Sequence, residues 1–196
     1  QDALLKDHAM NQRLNLNSYV ERSHSSVRGE DYSVGTELTL PNEPWNITAR
    51  LKQIGRDFAP ALGFVNRPGI RSYYGEVNRI ERPRQGPLQK LTVQAVLWTI
   101  DDLHGRVQSR DDWVSLALVS RANDQLMVAV DNYVERLDAP FALPGGVIVP
   151  ASRYAFVRWT ADLQTAQSRH FSLHWKLVCC DYYDGRSTES DLQLAW

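Results

Sequence analysis

The sequence predicts an all-β chain folded as an antiparallel up-and-down barrel of about ten strands, and three observations predict it. Apolar side chains fall on alternate positions of about ten segments, and only a strand sends alternate residues to opposite faces. The segments are long, most of them about nine to eleven residues, whereas strands of globular proteins average about five to six. Short turn signals separate several of them, which favours antiparallel neighbours joined as hairpins. Composition does not shift along the 196 residues, so a single domain over 1–196 is expected.

In chain order the expected strands are 13–22, 31–40, 45–54, 70–79, 89–100, 106–119, 125–136, 153–165, 171–180 and 188–196. In the second, Tyr32, Val34, Thr36, Leu38 and Leu40 oppose Ser33, Gly35, Glu37 and Thr39. The turn Pro41-Asn42-Glu43-Pro44 leads into the third, where Trp45, Ile47, Ala49 and Leu51 oppose Asn46, Thr48, Arg50 and Lys52. The fourth, with Tyr73, Tyr74 and Glu76, alternates least well. Arg121-Ala122-Asn123-Asp124 precedes the seventh, which sets Leu126, Val128, Val130 and Val134 against Gln125, Asp131, Tyr133 and Glu135. The eighth sets Ala155, Val157, Trp159, Ala161 and Leu163 against Arg158, Thr160, Asp162 and Gln164. In the ninth, Phe171, Leu173, Trp175, Leu177 and Cys179 oppose Ser172, His174 and Lys176. Asp184-Gly185 turns the chain into the last strand, where Leu192, Leu194 and Trp196 alternate. Residues 55–69 and 137–152 are the longest interruptions and the expected contact loops for a partner.

The greasy face admits two environments. In a soluble β-sandwich, the alternative fold, it packs inward; in a transmembrane barrel it meets lipid and the polar face lines the lumen. Strand length fits the roughly nine to eleven residues of a tilted membrane-spanning strand. Aromatics near strand ends fit interfacial girdles, with Trp45, Trp98, Trp113, Tyr73, Tyr74, Tyr182 and Tyr183 as candidates for a girdle or for stacking on a ligand. Leu192, Leu194 and Trp196 resemble the terminal signal read by the outer-membrane barrel assembly machinery. These features favour the barrel, with Ile47, Val128, Val157 and Leu173 on lipid and Arg50, Asp131, Asp162 and Lys176 facing inward. Arg50, Arg67, Arg71 and Arg158 are the candidate lumen or loop contacts. An interior of ten strands fills with side chains, so a wide passive pore is not expected.

Charge and motifs remove other classes. Lys plus Arg number 22 and Asp plus Glu 23, for a formal charge of −1, without a basic cluster, which argues against a nucleic-acid partner. Cys179 and Cys180 are neighbours in a strand, where side chains point to opposite faces, so they are expected to pack rather than to bridge each other or share a metal. His170 and His174 would lie about 13 Å apart along a strand, too far for a shared metal. The pairs Asp101-Asp102 and Asp111-Asp112 are expected to be solvated residues near turns. Nothing here supports catalysis, and no cofactor is expected.

One stretch has a family likeness. Phe58-Ala59-Pro60-Ala61-Leu62-Gly63-Phe64-Val65, then Arg67 and Ile70-Arg71, resembles the F-x-P-x-x-G-F-x-x-R-x-x-I-R stretch of an uncharacterised bacterial family. In that family a family-9-type carbohydrate-binding module precedes a C-terminal β-domain of outer-membrane barrel type. Glu135-Arg136-Leu137 with Pro140-Phe141, Val149-Pro150 with Tyr154, and Asp181-Tyr182-Tyr183-Asp184-Gly185 are similar to later blocks in the same order. Ser152 and Arg153 depart from the glycine usual before that tyrosine. The resemblance covers roughly residues 31–196, the barrel-like part only. It implies a barrel in a bacterial outer membrane, whole or a portion of a larger one, with lipid around it; the filled interior of ten strands adds the expectation of a structural or transport-type role with protein partners in a membrane assembly. The alternative it implies is a carbohydrate-binding or glycan-processing β-domain.

Overall fold

The computed structural model describes residues 13–60, 65 and 67–196, and among these ten long strands form one antiparallel sheet without a helix. The strands are β1 (Asn15–Ser25), β2 (Gly29–Pro41), β3 (Trp45–Ile54), β4 (Ile70–Glu81), β5 (Leu88–Asp102), β6 (Val107–Ser120) and β7 (Gln125–Arg136). Two-residue β8 (Phe141–Ala142) and β9 (Ile148–Val149) make a small separate ladder. The long sheet resumes with β10 (Arg153–Gln164), β11 (Ser172–Tyr182) and β12 (Gly185–Ala195). Each long strand pairs with the next in the chain, the up-and-down order expected from the short connections. The pairing stops at β1 and β12, so the sheet keeps two free edges and no closed barrel is formed among the described residues.

Alternation is coherent across the whole sheet because the register keeps parity from strand to strand. One row runs Leu40, Ile47, Val77, Ala95, Val114, Val130, Trp159 through seven paired strands, entirely apolar. On the opposite face the corresponding row is Thr39, Thr48, Glu76, Val96, Trp113, Asp131, Arg158. A slip of one residue in any pair would break both rows.

Burial separates the two faces in an unusual direction. The buried residues of the ten strands, from Ser23 and Ser33 through Ile54 and Ile70 to Ser115, Ala129, Asp131 and Phe156, all lie on the face that carries Arg50, Glu76, Asp131 and Arg158. We call it the inner face. The outer face exposes Leu38, Leu51, Val77, Leu97, Val114, Leu126, Val128 and Trp159. Water-facing sheets show the reverse arrangement.

The ends of the sheet differ. Short connections such as 42–44 and 121–124 lie at the end that also holds the outer tips of β1 and β12, and the long segments 55–69 and 137–152 lie at the other. The 121–124 turn is tied to the β10–β11 connection by Asp124, which accepts from the Ala166 N–H at 3.0 Å and pairs with the Arg169 guanidinium. That N–H, and then the guanidinium, hold the Asp124 carboxyl below the usual aspartate range. A carboxyl depressed in the folded state stabilises fully above its unfolded value and loses that contribution as pH falls through the folded one. Below about pH 4, the stability advantage of the natural chain over Asp124→Asn should therefore shrink, read as converging acid-unfolding curves.

The expected contact segment 55–69 is described in part. Its described part folds back across the inner face, where Phe58 is buried with Ile54 and Ile70 against Val65 and Ile100. The Ala59 N–H donates to Ser23 Oγ at 2.9 Å and the Asp57 N–H to Asp31 Oδ2 at 2.8 Å. Gly55 makes this possible, since a Cβ there would overlap the Asp31 carboxylate. Gly55→Ala should unhook the segment at a cost of about 1–3 kcal/mol, seen as a lowered urea midpoint and new proteolysis at Arg56. Residues 61–64 and 66 of the family-like stretch lie outside the described residues.

Two expectations change. Cys179 and Cys180 are joined in a disulfide, and Cys180 has φ 114°. That backbone leaves the extended region, so the rule that neighbours point to opposite faces fails at this residue. Asp101 and Asp102 belong to β5, and Asp111 and Asp112 to β6, rather than to turns.

Candidate functional site

The inner face of β1–β5 frames a cavity of about 1250 Å³. Two register rows supply its floor. The first runs Tyr19, Gly35, Lys52, Ser72, Ile100; the second runs Glu37, Arg50, Tyr74, Trp98 and continues to Asp111, Tyr133 and Phe156. Arg50 pairs with Glu37 and lies 5.1 Å from the centre of the Tyr74 ring. The Tyr74 hydroxyl donates to Glu76, which also accepts from Asn78 and Gln94 at 2.7 and 2.8 Å. Trp98 Nε1 donates to Ser72 Oγ at 3.0 Å. A Cβ at Gly35 would come within 2.5 Å of Tyr19 Cε1, so the glycine is what lets that ring lie flat on β2. Arg67, entering from the 55–69 segment, donates to Ser109 Oγ at 2.9 Å, and Ser109 donates to Glu135 at 3.1 Å.

A second polar cluster lies on β6, β7 and β10. Asp131 is 5% exposed and stands opposite Trp113 on one side and Arg158 on the other. Arg158 reaches Glu189 of β12 at 3.0 Å and lies 5.0 Å from the Tyr182 ring centre. Asp111 Oδ1, Asp131 Oδ1 and Arg158 Nε are buried without a hydrogen-bond partner among the described residues. Buried charge of both signs on one face of a sheet is tolerable only where the charges face one another.

The residues singled out by sequence therefore divide. Arg50, Arg67 and Arg158 face the interior, but Arg71 does not, because its parity puts it on the outer face, where it donates to Gln53 at 2.8 Å. Of the aromatics, Trp45 and Tyr73 lie on the outer face, with Trp45 under the Arg79 guanidinium at 4.8 Å. Tyr74, Trp98, Trp113 and Tyr182 have the opposite parity and sit inside, which takes them out of any outer girdle. Tyr182 and Tyr183 join Phe141, Tyr154 and Phe156 in an aromatic cluster at the long-loop end. Leu192 and Leu194 are outward and exposed, and Trp196 is 93% exposed. His174 approaches Asp162 at 3.2 Å, and among the described residues no group of three or more His, Cys, Asp or Glu gathers as a metal site. Tyr19 and Lys52 were not among the sequence candidates; the signal that could have found them is their shared parity with Arg50 across paired strands.

Compared with models of protein families, with curated proteins and with solved structures, the chain finds no match.

Proposed function

We propose that this chain is a bacterial outer-membrane β-barrel protein with a structural or transport-type role. The observation that carries the reading is the sidedness of the sheet, with aliphatic side chains exposed outside and buried charges inside. A sandwich would need a second sheet over the apolar face, and the other sheet among the described residues is β8–β9, two residues per strand. Lipid covers such a face without one.

The two free edges bear on the same reading. In hydrocarbon each unsatisfied backbone group costs several kcal/mol, so a sheet in a bilayer has to close. With ten strands in strict alternation β1 and β12 run antiparallel, the arrangement in which they close on each other. A barrel of this size holds side chains and a narrow lumen rather than a wide channel. The connections 55–69 and 137–152 at the long-loop end are the segments we assign to protein partners in a membrane assembly.

Cell fractionation and gel migration with and without boiling test this. The expected result is a chain in the outer-membrane fraction whose unboiled band migrates differently from the boiled one. A chain recovered in the soluble fraction without detergent, with one band under both conditions, would overturn it and favour the sandwich.

A further inference from the structure

We infer that the inner-face cavity of β1–β5 binds a carboxylate borne on a flat ring, held by Lys52 between the Tyr19 and Trp98 side chains. Among the large apolar residues exposed in the ten strands, Tyr19 at 40% and Trp98 at 43% are the two on the inner face, and both line this one cavity. Elsewhere inside, the aromatic surface is covered, as where Phe156 stacks on Tyr133 at 5.2 Å. A bare aromatic ring in a polar groove offers a face to a flat apolar surface, whether an aryl ring or the C–H face of a sugar ring.

The charges name the other half of the ligand. Arg22, Arg50, Lys52 and Arg67 line the cavity against a single acid, Glu21. Arg22 is paired with Glu30 and Arg50 with Glu37, while Arg67 donates to the neutral Ser109 hydroxyl and adds its own positive charge to that of Lys52. Lys52 is exposed and has no ion-pair or hydrogen-bond partner among the described residues. Its position couples it to both rings. On one side the register neighbour of Lys52 is Gly35, over which the Tyr19 ring lies; on the other it is Ser72, which Trp98 Nε1 reaches. A lysine flanked in register by the two residues that these rings reach fits an anion whose charge is attached directly to a ring. An aryl carboxylate and a cyclic sugar acid share that chemistry.

This deepens the barrel reading and rests on it for the cavity's place in a lumen. The test is calorimetric titration of the whole chain, in detergent micelles or in buffer if it folds without them, with its β content confirmed by circular dichroism. That check separates failure of the site from failure of the membrane reading. The probes are 2-naphthoate and digalacturonate, with acetate and maltose lacking the ring and the charge respectively. Saturable binding of either ring acid, at least about tenfold tighter than acetate or maltose, is expected, and whichever acid binds identifies the source. Lys52→Gln and Trp98→Leu should each weaken it about tenfold, the scale of one charge-assisted hydrogen bond or one stacking face. Trp45→Leu on the outer face should not. Absence of saturable binding of both acids to folded chain, equal binding of maltose or acetate, or affinity unchanged in both inner-face variants would overturn the proposal.

Discussion

Val130→Arg is expected to destabilise the folded chain in a lipid bilayer by about 2–4 kcal/mol, whereas Asp162→Asn should cost less than about 1 kcal/mol. Val130 lies in the middle of β7 and of the unbroken apolar row, between Val114 and Trp159. On the barrel reading an arginine there would meet lipid, with no acid on the outer face within its row. Asp162 is on the inner face opposite Lys176 and beside His174, where an amide keeps most of the hydrogen bonding. Position along the strand matters as well. Val157 stands opposite Asn132, in a row that already carries Asp112, so Val157→Arg should cost less than Val130→Arg. Urea unfolding in phospholipid vesicles checks the ranking.

Arg158→Ala should be a damaging change on the inner face, about 1–3 kcal/mol, the scale of losing a charge-assisted hydrogen bond and leaving buried polar groups without a partner. The side chain of Arg158 is 14% exposed, faces the 5%-exposed Asp131 across the β7–β10 pairing, and carries the contact to Glu189 of β12. Removing it leaves Asp131 buried without a facing cation and loosens the last strand. The double variant Arg158→Ala, Asp131→Ala should lose less than the sum of the two singles, because the second substitution removes the charge that the first stranded. Additive losses in a double-mutant cycle would show that the two do not interact.

Most of the fold is legible in the sequence because strand parity is a local property. The ten expected segments match the ten long strands to within a few residues at each end, and Leu38, Val128 and Trp159 face the side that their alternation assigns. The site is less legible because it is built from register. Arg50, Tyr74 and Trp98 lie far apart in the chain and form a row only through β3–β4 and β4–β5 pairing. Tyr19 looks unremarkable until Gly35 is seen beneath its ring. Where sequence reasoning failed, a tertiary contact or a backbone departure overrode the period of two. For Trp98 and Trp113 the girdle expectation failed for another reason: their own parity turns them inward, and Trp113 lies in the middle of β6. The 55–69 segment is the loop its sequence predicts in its described part, but nothing local shows that Phe58 packs with Ile54 and Ile70. Cys180, at φ 114°, breaks alternation altogether.

The central claim is that the outer face meets lipid and the inner face does not, and single-tryptophan variants quenched by brominated phospholipid test it most directly. A variant that retains Trp159, exposed on the outer face, should lose most of its fluorescence when refolded into brominated vesicles. A variant that retains Trp113, whose Nε1 donates to Gln94 on the inner face, should lose little. Equal quenching of the two, or no quenching of Trp159, would contradict the account.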